Sequence, residues 1–415
     1  MRRVVAVALV AAACRPGAPA SVTPAPTPNW DALTRLVDSA VADGAAPGAV
    51  VGVSLRGVRL VHGTGRLGVD DGTNPGPETL YDLASLTKVV ALTTALMLAV
   101  DDGRIGLDEP VQRYVPGFRG PGTGRVTIRH LLTHSAGLPA HRSLWRETTH
   151  WLEAHALVDA TPLDTVPGAR SVYSDLGAIV LTHALEAAVG EPLDAYVEAR
   201  IFRPLGMRST RYLPPPEWLP RIAPTERDPW RGRVLRGEVH DENAWWLGGV
   251  SGHAGLFGTA ADLLTFGEWL LSGARRTKTA KRARPGAGTP APPRSLEEFV
   301  RRQDVVSGSS RALGWDTPSL GSSAGTRLSA RSFGHTGFTG TSIWVDPERD
   351  LVVVLLSNRV HPSRDNPRLA RLRPLVADAA AAVADEMDVR RWSLVVPPTT
   401  PTTKDERPTT IDPTD

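Results

Sequence analysis

Two side chains three residues apart, Ser85 and Lys88 in "YDLASLTKVV", offer the first chemistry in the sequence. A serine hydroxyl is a poor nucleophile until a base takes its proton. Lysine becomes such a base when burial or a neighbouring cation lowers its pKa from the reference value of about 10.4. The run "LTKVVALTTALMLAV" is apolar nearly all round, so it predicts a core helix. On a helix the pair shares one face, one turn apart, and desolvation acts to discharge Lys88. Ser85 at the helix start also keeps its backbone N–H free for an oxyanion. A solvated lysine stem and a capping serine give the same spacing, and Ser-x-x-Lys alone is a weak signal. Further candidates lie far off: Tyr173 in "SVYSDLG", just ahead of a helical pattern, and His335-Thr336-Gly337 in "SFGHTGFTG", ahead of a hairpin.

The elements that must position these residues are legible at both ends of the chain. From Asn29, "NWDALTRLVDSAVADG" reads as an amphipathic helix with Trp30, Leu33, Leu36, Val37, Ala40 and Val41 on one face and Gly44 at its end. "GAVVGVSLRGVRLVHGTG" reads as a β-hairpin turning at Arg56-Gly57. A second hairpin, "TSIWV" and "LVVVLLSN" around "DPERD", is followed by a C-terminal helix over "RLARLRPLVADAAAAVADEM". The natural closure is one antiparallel sheet built from both ends. Between Ser85 and about Leu271 the pattern is mostly helical; "TAADLLTFGEWLLSG" opens on Thr259 with Asp262 three later, a variant capping box. The predicted class is α+β: an antiparallel sheet flanked by helices with a mainly helical inserted region, and a site at their junction.

With Ser85-x-x-Lys88, Tyr173-Ser174-Asp175 and His335-Thr336-Gly337 in this order, the chain resembles the serine β-lactamase and penicillin-binding protein superfamily. The likeness is to its class C β-lactamase, D,D-peptidase and esterase branch, and covers roughly Asn29 to Met387. The resemblance implies a β-lactamase-like fold and an acyl-enzyme on Ser85. It implies proton transfer by Lys88 and Tyr173, and an oxyanion hole from the backbone N–H groups of Ser85 and Phe338. His335 would bind a substrate carboxylate or donate to the Tyr173 oxygen, beside Thr336, and Gly337 would let the strand approach the substrate closely. Two departures stand out. Asp175 replaces the usual Asn, and an ionised Asp only accepts; facing Lys88 it favours the ammonium, whereas the plainer reading makes it the cap of "LGAIVLTHALEAAV". His335 stands where many members carry lysine and, titrating near neutrality, is the weaker carboxylate anchor.

"GEVHDENAWWLGGVSGHAGLFGTAADL" adds His240, Asp241 and His253 as candidates for the cleft wall or, as a minor branch, a metal site, against a plainer reading as loop histidines satisfied by backbone. Its "VHDENA" and "GHAG" parts resemble a subgroup of periplasmic penicillin-binding proteins and esterases. "VTIRHLLTHSAGLP" matches a segment that shapes the family's helical region, which makes His134 structural. Neither a His-x-x-x-His nor a cysteine pair supports a metal, and no cofactor is implied.

In 415 residues the hydrophobic fraction is 41% and the net charge only +3. Arginine is scattered rather than gathered in a stripe, which gives no basis for nucleic-acid binding. The start, "MRRVVAVALVAAACRPGAPA", reads as an export signal over residues 1–14, and Cys14, the single cysteine, resembles a lipidated lipobox residue. Ala11 stands where leucine is more usual, so plain cleavage fits too. Residues 15–28 form a Pro/Ala/Thr tether, 29–396 the hydrolase domain, 275–294 a basic disordered insert and 397–415 a disordered tail. No run of about 18 apolar residues is expected to span a bilayer. The expected protein is periplasmic or anchored to a membrane by lipid. Its function is that of a D,D-peptidase on peptidoglycan peptides, an esterase or amidase on small acyl substrates, or a non-catalytic penicillin-binding sensor or wall-docking module.

Overall fold

The structure, a computed structural model, describes residues 27–274 and 289–395. The export signal with Cys14, the tether to residue 26, insert residues 275–288 and the tail 397–415 lie outside the described residues. The last part of the expected insert, 289–294, takes a defined path: Pro290 accepts a hydrogen bond from the Trp269 indole at 3.0 Å, and the Arg294 guanidinium donates to the Asp101 carbonyl at 2.5 Å.

Strand β1, Gly48–Leu55, is buried at every position, as a strand paired on both edges and covered on both faces must be. One edge takes β2, Val58–Gly65, across Arg56 and Gly57, both at positive φ of 53° and 83°. Two such residues make the tight turn whose twist matches a hairpin. The other edge takes a strand from the far end of the chain. Of β3, Phe333–Gly337, β4, Thr341–Asp346, and β5, Leu351–Ser357, it is β5 that pairs with β1, from Ala49 opposite Ser357 to Leu55 opposite Leu351. The sheet runs β2-β1-β5-β4-β3, all antiparallel. The sheet built from both ends, read from sequence, is the sheet observed.

Helix α1, Asp31–Ala42, buries Leu33, Val37 and Val41 and packs on β1 and β2. Three more helices matter below: α2, Thr94–Asp101, α3, Asp175–Val189, and α4, Ala260–Ala274; α5, Leu369–Val395, ends the described chain. Helix α4 packs on β1, β4 and β5, with Gly267 so close that a Cβ there would lie 2.5 Å from Val352. At its start Thr259 accepts from the Asp262 N–H at 3.2 Å, but the Asp262 carboxylate turns away to Ser209 and Thr210. The expected capping box is therefore only half formed.

The predicted core helix after Ser85 departs from a regular α-helix. A 3₁₀ turn over Ala84–Leu86 leads into a wide π-turn, Lys88–Thr93, and only then into α2. The whole stretch Ala84–Asp101 is as long and apolar as a bilayer span, contrary to the expectation that no such run exists, but most of it is buried inside the body. Its apolar surface is covered by protein: Leu92, Ala95, Leu96 and Ala99 belong to one continuous core with residues of α3 and α4. Contacts gather Pro28–Glu386 into one body. The residues discussed next all belong to the body.

Candidate active site

The nucleophile turn is held from three directions. Tyr81–Asp82 pairs with Leu256–Gly258 in a small sheet, so the "GHAGLFG" segment fixes the approach to Ser85. Asp82 caps the turn by accepting from the Ala84 N–H at 2.8 Å, and Ala84 sits at φ +47°. From the β3–β4 hairpin, the Thr339 and Thr341 hydroxyls donate to the Asp82 and Leu83 carbonyls at 2.7 and 2.9 Å. Gly337 is needed there because a Cβ would lie 2.5 Å from the Leu83 oxygen. Its missing side chain therefore admits the nucleophile turn itself, a closer neighbour than the substrate for which the sequence reserved it.

A 3₁₀ turn nearly eclipses positions i and i+3, and the Lys88 Nζ lies 3.0 Å from the Ser85 Oγ. The same Nζ lies 2.7 Å from Asp175 Oδ1 and 3.0 Å from the His253 carbonyl. Three acceptors around one nitrogen match the three N–H groups of an ammonium and leave no lone pair. Burial favours the neutral amine, but the opposed Asp175 carboxylate and the Tyr173 oxygen outweigh it and raise the Lys88 pKa above its usual value. The expected discharge of Lys88 by its apolar helix is thus overturned. An ion pair whose lysine side chain is 4% exposed feels little screening.

Asp175 is the first residue of α3, not its cap: the cap is Ser174, whose hydroxyl accepts from the Gly177 N–H at 3.2 Å. This replaces the capping reading of Asp175 with a contact in the site. Tyr173 precedes that cap. Its hydroxyl is enclosed and makes no well-aligned hydrogen bond, but it lies within electrostatic reach of both Lys88 and Ser85, and the Lys88 ammonium stands 4.9 Å from its ring centroid. Burial raises the phenol pKa, against the pull of Lys88, so Tyr173 rests protonated. His134 shapes this loop: it sits at φ +54°, its Nδ1 accepts from the Ser174 N–H at 3.2 Å, its carbonyl accepts from Val172, and its ring lies 4.6 Å from the Tyr173 ring.

His335 is buried and neutral. Its Nδ1 is 2.8 Å from the Thr336 carbonyl, which can only accept, so Nδ1 carries the proton. Nε2 is left as an acceptor without a partner. Burial and then the Arg311 and Lys88 charges lower its pKa to about 3. A neutral imidazole in this tautomer neither anchors a carboxylate nor donates to the Tyr173 oxygen from Nε2, which corrects both roles expected for it.

Ser85, Tyr173, Asp175, His240, Asp241, His335, Thr336, Gly337 and Phe338 line one cleft of about 690 Å³, while His253 lies beneath it, buried. His240 and His253 pair with different carboxylates, Glu226 and Asp241, each at 2.9 Å. Among the described residues no group of three His, Cys, Asp or Glu could hold a metal ion. Sequence reasoning missed the arginines. Arg146, Arg311, Arg359, Arg364 and Arg373 line the cleft, Arg359 and Arg364 from one loop and the others from separate segments. Arg311 pairs with Asp316, and Arg364 with Glu226 and Glu242. Arg359 and Arg373 donate only to carbonyls, of Phe338, Arg364 and Asn366 and of Gly337 and Thr341, and have no carboxylate partner among the described residues. Arg373 lies in "RLARLRPL", where the sequence carries no sign that one arginine turns inward.

Comparison with known proteins bears on the family and the fold. The family model described as Beta-lactamase matches residues 33–378. A protein of Salmonella typhimurium named "Putative D-alanyl-D-alanine carboxypeptidase" is 34% identical over 330 residues, 70% of this chain and 72% of that protein. A class C β-lactamase from Rhodobacter sphaeroides superposes with a TM-score of 0.62 at 22% identity, covering 86% of this chain and 99% of that one. EstCE1, a hydrolase with promiscuous acyltransferase activity, gives a TM-score of 0.62 at 23% identity, covering 82% and 97%.

Proposed function

The chain belongs to the beta-lactamase family and is a serine hydrolase of it, and from that premise we propose a D,D-peptidase that cleaves peptidoglycan peptides through an acyl-enzyme on Ser85. The Ser85 oxygen attacks the peptide carbonyl, its proton passes to the Tyr173 oxygen, and the Tyr173 proton passes to the leaving amine. The phenol thus begins and ends as a phenol, and water reverses the relay to release the acyl group. Lys88 stays an ammonium and stabilises negative charge developing on Ser85 and Tyr173, while the Ser85 and Phe338 N–H groups receive the oxyanion. Asp175 holds Lys88 in that state.

The observation that carries the choice of substrate is a set of three cations in the cleft wall, Arg146, Arg359 and Arg373, without a carboxylate partner among the described residues. A peptide ending in a free carboxylate supplies the missing anion, and a neutral ester does not. Intact-mass measurement after incubation with a penicillin, and separately with a short-chain aryl ester, should show an adduct that Ser85→Ala abolishes. A D-Ala-D-Ala peptide should lose at least tenfold in kcat/KM when its terminal carboxylate is amidated. Equal turnover of the two forms would move the assignment to an esterase, and an adduct without turnover to a sensor.

The reading extends to the cell envelope, where this substrate lies. Export and lipidation at Cys14 are supported by the n-region arginines and the small residues before that cysteine. Cys14→Ser should release the protein from the membrane fraction, and unchanged fractionation would rule the anchor out.

A further inference from the structure

The two N–H groups assigned to the oxyanion belong to segments more than two hundred residues apart, so something must set their separation. Asp82 touches both sides. Its carboxylate is buried at 2% exposure; Oδ1 accepts from the Ala84 N–H at 2.8 Å and Oδ2 from the His240 N–H at 2.7 Å. Its carbonyl accepts from Thr339, the residue after Phe338. A non-glycine residue at positive φ is strained, and the Asp82 bond holds Ala84 there, immediately before Ser85.

The chain from Asp82 continues through His240. Its ring lies along the Phe338 ring with centroids 5.7 Å apart and planes within 24°. Its position is fixed by Glu226 at 2.9 Å on Nε2 and by Arg231, which donates to its carbonyl at 2.7 Å. Phe338 is 50% exposed, so burial alone does not locate it; the stack on His240 and the Arg359 guanidinium 4.6 Å from its ring do. Its backbone N–H donates to no acceptor among the described residues. The contacts close a ring: Ala84, Asp82, His240, Phe338, Thr339 and back to Asp82.

We propose that Asp82 and His240 are positioning residues for acyl transfer, which together set the spacing of the Ser85 and Phe338 N–H groups around the oxyanion. The proposal rests on the acyl-enzyme reading above. Neither residue is given a proton to move.

The test compares an aryl ester with the matching thionoester, whose sulfur is a poor acceptor and gains little from a well-set oxyanion hole. In the full-length protein, His240→Ala should lower kcat/KM for the oxygen ester by about 10- to 100-fold, through slower acylation at nearly constant KM. The thionoester rate should change by less than about threefold. His240→Phe keeps a flat ring against Phe338, and Glu226 keeps Arg364, so this variant should recover most of the lost rate. Asp82→Asn presents an amide where one backbone N–H needs an acceptor and should behave like His240→Ala. Equal losses on both esters, or a His240→Phe as impaired as His240→Ala, would overturn the brace. Should His240→Ala not fold, His240→Phe and Asp82→Asn carry the comparison. Absence of any adduct in the wild type would instead overturn the acyl-enzyme reading itself.

Discussion

Lys88 uses all three N–H groups, on Ser85, Asp175 and His253, and that fact decides which proton carrier is left. Replacing Asp175 with Asn removes the strongest attraction that opposes burial, so the Lys88 pKa should fall. In a pH series of kcat/KM, Asp175→Asn should show a new inflection within the working range while Tm moves little, because Ser174 still caps α3. An unchanged profile would mean that Lys88 does not feel the carboxylate. His335 makes the opposite kind of prediction. Its folded pKa, about 3, lies below the unfolded value of about 6.5. The unfolded chain therefore binds the extra proton, and stability is complete above pH 6.5 and lost as pH falls towards 3. Between pH 7 and 5 this one group should cost about 2 kcal/mol. His335→Gln should flatten the fall by about that amount in denaturant titrations at the two pH values. Sequence gave the identity of Ser85, Lys88, Tyr173 and His335 but not the charge on any of them. Charge depends on which groups meet across the fold, and Asp175 could be read as a cap as readily as a counter-ion.

The nucleophile turn and the β3–β4 hairpin act as one element, although 250 residues separate them in the chain. At Gly337 an added Cβ would lie 2.5 Å from the Leu83 oxygen, so Gly337→Ala should cost about 1–3 kcal/mol by overpacking, read as a fall in Tm, together with loss of adduct formation. A variant that keeps full stability and full acylation would mean that the two segments can separate without consequence. The hairpin at Arg56-Gly57 and the pairing of both chain ends were legible because period-2 patterns and turn residues declare themselves locally. The 3₁₀ turn and π-turn around Ser85 were not. Every residue there from Leu86 to Thr94 except Lys88 is uncharged and all are buried, so the pattern has no polar face from which a period could be read.

At the scale of the whole molecule, net charge of +3 conceals how charge is placed. Arg311, Arg359, Arg364 and Arg373 gather at the cleft from three stretches that look unremarkable along the chain. Their field should help recruit an anionic peptide, and added salt screens it, with a Debye length of about 8 Å at physiological ionic strength and about 3 Å at 1 M. Raising salt across that interval should increase KM for a peptide with a free carboxylate and leave that for a neutral aryl ester within about twofold. Equal salt dependence would remove the arginines from substrate recognition. The sheet topology has a further consequence, in time rather than in space. Strand β1 lies between β2 and β5, and β5 is among the last elements to be made. Throughout synthesis the nascent N-terminal hairpin keeps one open, apolar edge, and no partial chain ending before Leu351 can close it. Folding of the sheet therefore waits for the near-complete polypeptide, and the first hairpin made is among the last to be locked.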